Sequence, residues 1–215
     1  MPLQNRVAPD GSLHAAAARG MLTGNRGTLH DPVSKTLTGR RWTTKAWIAC
    51  ALSFKGHKRE VWGRQIRGER PGWTELFFLD EVTVLAAGHR PCFYCRRAEA
   101  RRFLECVCAG LRRPAMRAPQ LDELLHAERR QSSKSAMRLL SDRELGVLPD
   151  GAVVETSDGF HALRNGRALP WRHSGYGRAV PLDALAGTAI SQVTPSTVIA
   201  ALRAGYRPAW HPSAT

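Results

Sequence analysis

The stretch LAAGHRPCFYCRR, residues 85–97, decides how this chain is read. Cys92 and Cys95 stand two residues apart behind Pro91, with Arg90 before them and Arg96 and Arg97 after. Thiolates at C-x-x-C spacing can close on one metal ion, because both sulfurs face into the same tight turn. Thioredoxin-like redox pairs share the spacing, but there the pair follows a strand of a βαβ unit. Here a short helix and Gly88 precede it and nothing downstream reads as a parallel sheet, so zinc is favoured over redox chemistry.

Outward from the pair, local signals are strongest on either side of it. WTELFFL (73–79) reads as a strand, after which Asp80 offers an N-cap to a short helix, EVTVLAA, that Gly88 ends. The pair then opens a longer helix, RRAEARRFLECVCAGL (96–111). Its Phe103, Cys106, Val107 and Leu111 fall on one face at helical spacing, so Cys106 is expected in the core rather than on a metal. Upstream, WTTKAWIACALSF (42–54) alternates Ile48, Cys50, Leu52 and Phe54 onto one face of a strand. KGHK (55–58) is a turn, with REVW (59–62) expected to return as the partner strand. The first 40 residues show little periodicity. Within them ARGMLTGNRGTLHD (18–31) reads as a loop or irregular arm whose amides and arginines could wrap a phosphate.

RRPAMRAP (112–119) looks like a boundary, followed by a helix, QLDELLHAERRQ (120–131). Three short strands come next, separated by the turns PDG, SDG and NG, the last a strong hairpin signal. A final helix has Thr194 as N-cap, Pro195 in its first turn and Gly205 as its stop. The expected fold is α+β: a zinc-bearing module over residues 1–113, then a small antiparallel sheet and helix over 114–215.

Composition bounds the partners. In 215 residues, Lys and Arg number 32 against 18 acids, a net charge of +14, and five of the 32 are lysine. Arginine suits planar, bidentate contact with phosphate and stacking on bases, so nucleic acid is the expected partner. A solvated arginine-rich surface without such a partner is the plainer alternative. No apolar run approaches the roughly 18 residues needed to span a bilayer, so no membrane partner is expected. MPLQNRVAPDG at the start carries no signal-peptide core, so a cytoplasmic location with reduced thiols is expected.

The segment FFLDEVTVLAAGHRPCFYCRR (77–97) resembles the Ada-type zinc-binding domain of adaptive-response DNA repair proteins. Phe77, Phe78, Ala86, Ala87, Gly88, Arg90, Pro91, Cys92 and Cys95 carry the likeness, over about a tenth of the chain. The resemblance implies a Zn2+ ion held by four cysteines, an upstream C-x-x-x-C pair supplying two, one of which accepts a methyl group from a DNA phosphotriester. Here Cys50 stands upstream and Phe54 occupies the place of its mate. A histidine is the expected fourth ligand: His30, just before the strand carrying Cys50, with His57 and His89 as the other candidates. The metal set is then Cys50, Cys92, Cys95 and His30, and Arg90, Arg96 and Arg97 are expected on phosphate.

Two rival patterns place the chain among enzymes acting on nucleic acid. His126 and Glu128 form H-x-E, which with PCFYC spells both halves of the zinc-deaminase signature in reversed order. A zinc-knuckle nuclease would need a water-activating histidine, for which His126, His161 and His173 are candidates. The expected function is zinc-stabilised binding of nucleic acid, DNA first, in repair or modification.

Overall fold

A computed structural model describes residues 2–56, 61–63, 72–131, 138–185 and 187–215 of the chain. In chain order the first strands are β1 (Gln4–Val7), β2 (Leu13–Ala15), β3 (Leu22–Asn25), β4 (His30–Asp31), β5 (Thr36–Leu37), β6 (Ile48–Ala51) and β7 (Leu76–Phe78). Helix α1 (Glu81–Ala86), strand β8 (Arg90–Pro91) and helices α2 (Arg97–Gly110) and α3 (Ala118–Gln131) follow. Then come β9 (Leu139–Leu140), α4 (Asp142–Gly146), β10 (Val153–Thr156), β11 (Gly159–Arg164), β12 (Arg167–Arg172), β13 (Gly175–Tyr176), β14 (Val180–Pro181), β15 (Ile190–Gln192) and α5 (Ser196–Arg203). The protein is mixed α and β, and none of its described helices is long and apolar enough to cross a membrane.

The N-terminal forty residues are sheet rather than arm. A six-stranded sheet runs β2-β1-β7-β3-β6-β8, with β3 between β6 and β7, so the stretch read as a phosphate-wrapping loop contributes an inner strand, Leu22–Asn25, to the sheet. Helix or strand periodicity is weak there because β3 is LTGN, and its glycine is a packing requirement. A Cβ on Gly24 would lie 2.2 Å from the Ile48 carbonyl oxygen. The hairpin foreseen from 42 to 62 does not form as such: Val61 and Trp62 sit in a turn, while Arg59 and Glu60 lie outside the described residues. Strand β6 pairs instead with β3 and, in parallel, with β8. Non-local pairing took the place that a sequence-adjacent hairpin would have had.

The second sheet runs β13-β12-β11-β10-β15-β9, with β14 on β12. The turn between β11 and β12 places Asn165 and Gly166 at positive φ, 50° and 69°, as a two-residue hairpin of the Asn-Gly kind demands. Helix α2 packs on α5, and Phe103, Cys106 and Val107 meet Val198, Ile199 and Leu202 in one apolar core. Leu85, Leu121, Leu125 and Val154 belong to the same core, so residues on both sides of position 113 share it. Cys106 is buried there, its thiol reaching the Ala204 carbonyl at 3.7 Å.

Both helix starts read from sequence have partners that sequence spacing did not name. Asp80 caps α1 by accepting from the Thr83 N–H at 2.9 Å, as its position predicted, and also accepts from the Tyr176 hydroxyl and the His211 N–H. Helix α5 begins one residue later than expected, with Pro195 rather than Thr194 at its N-cap. Pro195 has no side chain that can cap, and the Glu128 carboxylate accepts from the Thr197 N–H at 3.0 Å. Thr194 turns instead to the second sheet, accepting from the Val153 N–H. Helix α4, opened by a capping box between Ser141 and Glu144, has no counterpart in the sequence reading.

Candidate metal centre

Cys50, Cys92 and Cys95 meet. Strand β8 lies parallel to β6 in the register Ile48 to Arg90 and Ala49 to Pro91, and the Cys92 N–H continues that ladder to the Ala49 carbonyl at 2.9 Å. This brings Cys92 beside Cys50. The chain then turns through residues 93–96, closed by the Arg96 N–H on the Cys92 carbonyl at 3.0 Å, and Cys95 comes back toward the same point. The three sulfurs all lie within 4.8 Å of one another, and among the described residues this is the one group of three or more metal-ligating side chains that close together. With Zn–S bonds of about 2.3 Å, tetrahedral zinc needs sulfurs roughly 3.8 Å apart, which such a cluster can supply. Three partly buried, unbridged thiols can hold a metal ion.

The thiols already differ in acidity. Cys92 is pulled down to about 5, chiefly by the hydrogen bond from Cys50 and then by backbone N–H groups of Cys95 and Tyr94. The Tyr94 N–H stands 3.4 Å from the Cys92 sulfur. Cys50, the donor in that bond and buried as well, is pushed up, and burial pushes Cys95 up too. A soft cation binding such a cluster favours the thiolate forms and releases protons as it binds.

The expected histidine ligand is elsewhere. His30 is not part of the cluster; it is buried in β4, its Nδ1 2.7 Å from the Thr74 hydroxyl and its ring stacked on Trp62 at 5.3 Å. His89 is packed between Trp47 and Phe78 and accepts from Arg26 Nε at 3.2 Å. Burial and the Arg26 charge push His89 well below the usual imidazole range, so it is neutral. His57 lies outside the described residues. Phe54, where the resemblance led a cysteine to be expected, stands edge-on to Tyr94 at 5.1 Å with the Lys55 ammonium 5.5 Å from both rings.

The deaminase and nuclease patterns are not brought to the thiols. Glu128 is occupied at the start of α5, and His126 stands edge-on to Trp42 at 5.4 Å; neither joins the sulfur cluster. His161 is buried in β11, and His173 lies against His14 and Trp171.

Two of the three arginines expected on phosphate are committed inside the protein. Arg90 is 7% exposed and pairs bidentately with Asp122 of α3, at 2.7 and 2.9 Å. Arg96 is 7% exposed and donates to Glu81 of α1 at 2.8 Å. A guanidinium leaves water only when a carboxylate receives it, and those carboxylates come from helices that sequence spacing could not place beside the knuckle. Arg97 is exposed at the start of α2, as are Arg101 and Arg102 further along the same helix.

A second group of chemistry-bearing side chains went unread in the sequence. Arg26, Arg129 and His89 converge near the C-terminal end of α1, with the Trp47 ring between the two guanidiniums at 4.0 and 4.4 Å. Arg26 carried a signal only as one arginine of a supposed loop, and Arg129 carried none, since a basic residue in the last turn of a helix is ordinary. The chain matches no protein-family model, and neither a curated protein nor a solved structure is significantly similar to it.

Proposed function

We propose that this chain is a zinc-stabilised nucleic-acid-binding protein, with DNA the favoured partner, in which Cys50, Cys92 and Cys95 hold the ion in an Ada-like knuckle. The observation that carries the reading is the meeting within 4.8 Å of three thiols, one from strand β6, one just after strand β8 and one from the turn that follows. Zinc is preferred because an all-sulfur donor set suits it. Zinc there would tie β6 to the start of α2, fixing how the exposed Arg97, Arg101 and Arg102 stand on that helix. The net charge of +14 supports a polyanion as partner. A role in DNA repair or modification rests on the local resemblance of residues 77–97 to the Ada-type domain. Methyl transfer itself lacks the second upstream cysteine, with Phe54 in its place.

One preparation tests both halves. Elemental analysis of protein purified without chelator is expected to give one zinc per chain, lost in Cys92→Ser and Cys95→Ser and retained in Cys106→Ser. The zinc-bound protein is then titrated with a duplex at several salt concentrations. Replacing Arg97, Arg101 and Arg102 together should lower the slope of log K against log salt by up to about three, at roughly 0.9 per phosphate contact. Metal-free wild-type protein would overturn the zinc reading, and absence of DNA binding at low salt would overturn the partner.

A further inference from the structure

The arginines near the end of α1 line a cavity of about 410 Å³, remote in character from the thiols. Arg26, Arg40, Arg41 and Arg129 face Asp10 and Glu155 around it, four cations against two acids. Arg26 is 1% exposed. Its Nε donates to His89 and its Nη1 donates to the Gly11 carbonyl at 2.8 Å, but its Nη2 has no hydrogen-bond partner among the described residues. No carboxylate among the described residues forms an ion pair with it. Burial and then the charges of Arg41 and Arg129 push the Arg26 guanidinium well below its ordinary range, with Asp10 opposing weakly.

Burying an ion without a counter-ion costs several kcal/mol, and proteins elsewhere in this very fold avoid it: Arg90 and Arg96 each have their carboxylate. The excess of positive charge at this cavity is therefore a feature that an anion would complete. We propose that the cavity binds a phosphate ester of small-molecule size, its phosphate met by the Arg41 guanidinium and by Nη2 of Arg26, while Arg129, whose Nη1 and Nη2 donate to the Gly88 and Lys45 carbonyls, adds positive charge to the wall. Guanidinium forks match phosphate oxygens, and two or three of them favour a doubly charged group over a carboxylate. The volume is several times what a bare phosphate needs and lies within the range of small-ligand sites. Leu13, Leu37, Ala87 and Val193 give the remainder of the wall an apolar character suited to the organic part of an ester. Gly11 and Gly88 leave room beside the guanidiniums: a Cβ would stand 3.4 Å from Arg26 Nη2 at the first and 3.0 Å from the Arg129 side chain at the second. The site goes beyond the zinc reading and does not depend on it.

Two sources share this chemistry, a free phosphorylated metabolite and the terminal phosphate of a nucleic acid. Calorimetric titration of the zinc-replete full chain, at constant ionic strength, uses inorganic phosphate, adenosine 5′-monophosphate, adenosine, and a short oligonucleotide with and without a 5′-phosphate. Phosphate and the monophosphate are expected to bind and adenosine is not. Tighter binding of the 5′-phosphorylated oligonucleotide than of its 5′-hydroxyl form would assign the nucleic-acid source, and equal binding the free metabolite. Arg41→Ala, a change at an exposed residue, should weaken phosphate and monophosphate binding about tenfold, the loss of one charge-assisted hydrogen bond. Arg26→Met should weaken it at least as much. Should Arg26→Met fail to fold, Arg41→Ala decides alone. Absence of binding by inorganic phosphate and the monophosphate, or unchanged affinity in Arg41→Ala, would overturn the proposal while leaving metal content and duplex binding untouched.

Discussion

The two ends of α1 treat buried charge in opposite ways. At its start, Asp80 and Glu81 are almost fully buried and saturated with donors. Asp80 receives the Thr83 N–H and hydroxyl, the Tyr176 hydroxyl and the His211 N–H. Glu81 receives Arg96, the Tyr206 hydroxyl and the Ala209 N–H, all within 2.9 Å. These contacts bind the C-terminal tail, residues 206–211, across the first turn of the helix. Beyond the other end lie Arg26 and Arg129, with a neutral histidine and three carbonyl acceptors from the backbone, Gly11 for Arg26 and Gly88 and Lys45 for Arg129. Paired charge at the first end is architecture. At the second end Arg26, among the described residues, has no carboxylate, and that is the charge the proposed phosphate would meet.

Three substitutions measure that contrast. Glu81→Gln should have the largest effect, because it leaves Arg96 buried opposite a neutral amide. Urea unfolding is expected to show a loss of about 3–5 kcal/mol, the usual result of breaking one side of a buried pair. Glu128→Ala comes next. It removes the acceptor that serves the first turn of α5 in place of a capping side chain, and should cost about 1–2 kcal/mol. Zinc content should be unchanged in that variant, and loss of metal would return Glu128 and His126 to the site. Smallest is Arg26→Met in phosphate-free buffer. Two hydrogen bonds are lost, but an ion without a counter-ion is removed, so the net change should stay within about 1 kcal/mol of zero. If Arg26→Met destabilises as much as Glu81→Gln, the two ends of α1 are equivalent and the contrast between them fails.

Much of this molecule was legible where the determinant is local. Asp80 as a cap, Gly205 at positive φ after the last helix and the Asn165-Gly166 hairpin all stand where their residue types require them. Each depends on hydrogen bonds or dihedral angles within a few residues. The apolar face of α2 was equally readable, since Phe103, Cys106 and Val107 need only be buried, whatever covers them. The thiol cluster was legible in part: a C-x-x-C turn announces itself, and Cys50, expected as its third member, lies beside the pair.

Tertiary structure decided the rest. Nothing in the spacing of β3 showed that Leu22–Asn25 would lie at the heart of a sheet, because a glycine set by the closeness of Ile48 interrupts the alternation that marks strands. Parallel pairing of β8 with β6 put Cys92 beside Cys50 and left His30 with Thr74 and Trp62, a choice between ligands that distance along the chain does not encode. The arginines make the same point most sharply. Arg90, Arg96, Arg97 and Arg26 are chemically identical in the sequence; Asp122 and Glu81 internalise the first two, solvent keeps the third, and Arg26 is buried with no carboxylate among the described residues to meet it. A charge has no local signature of its partner, because Coulomb interactions act through space and the folded chain sets the distances.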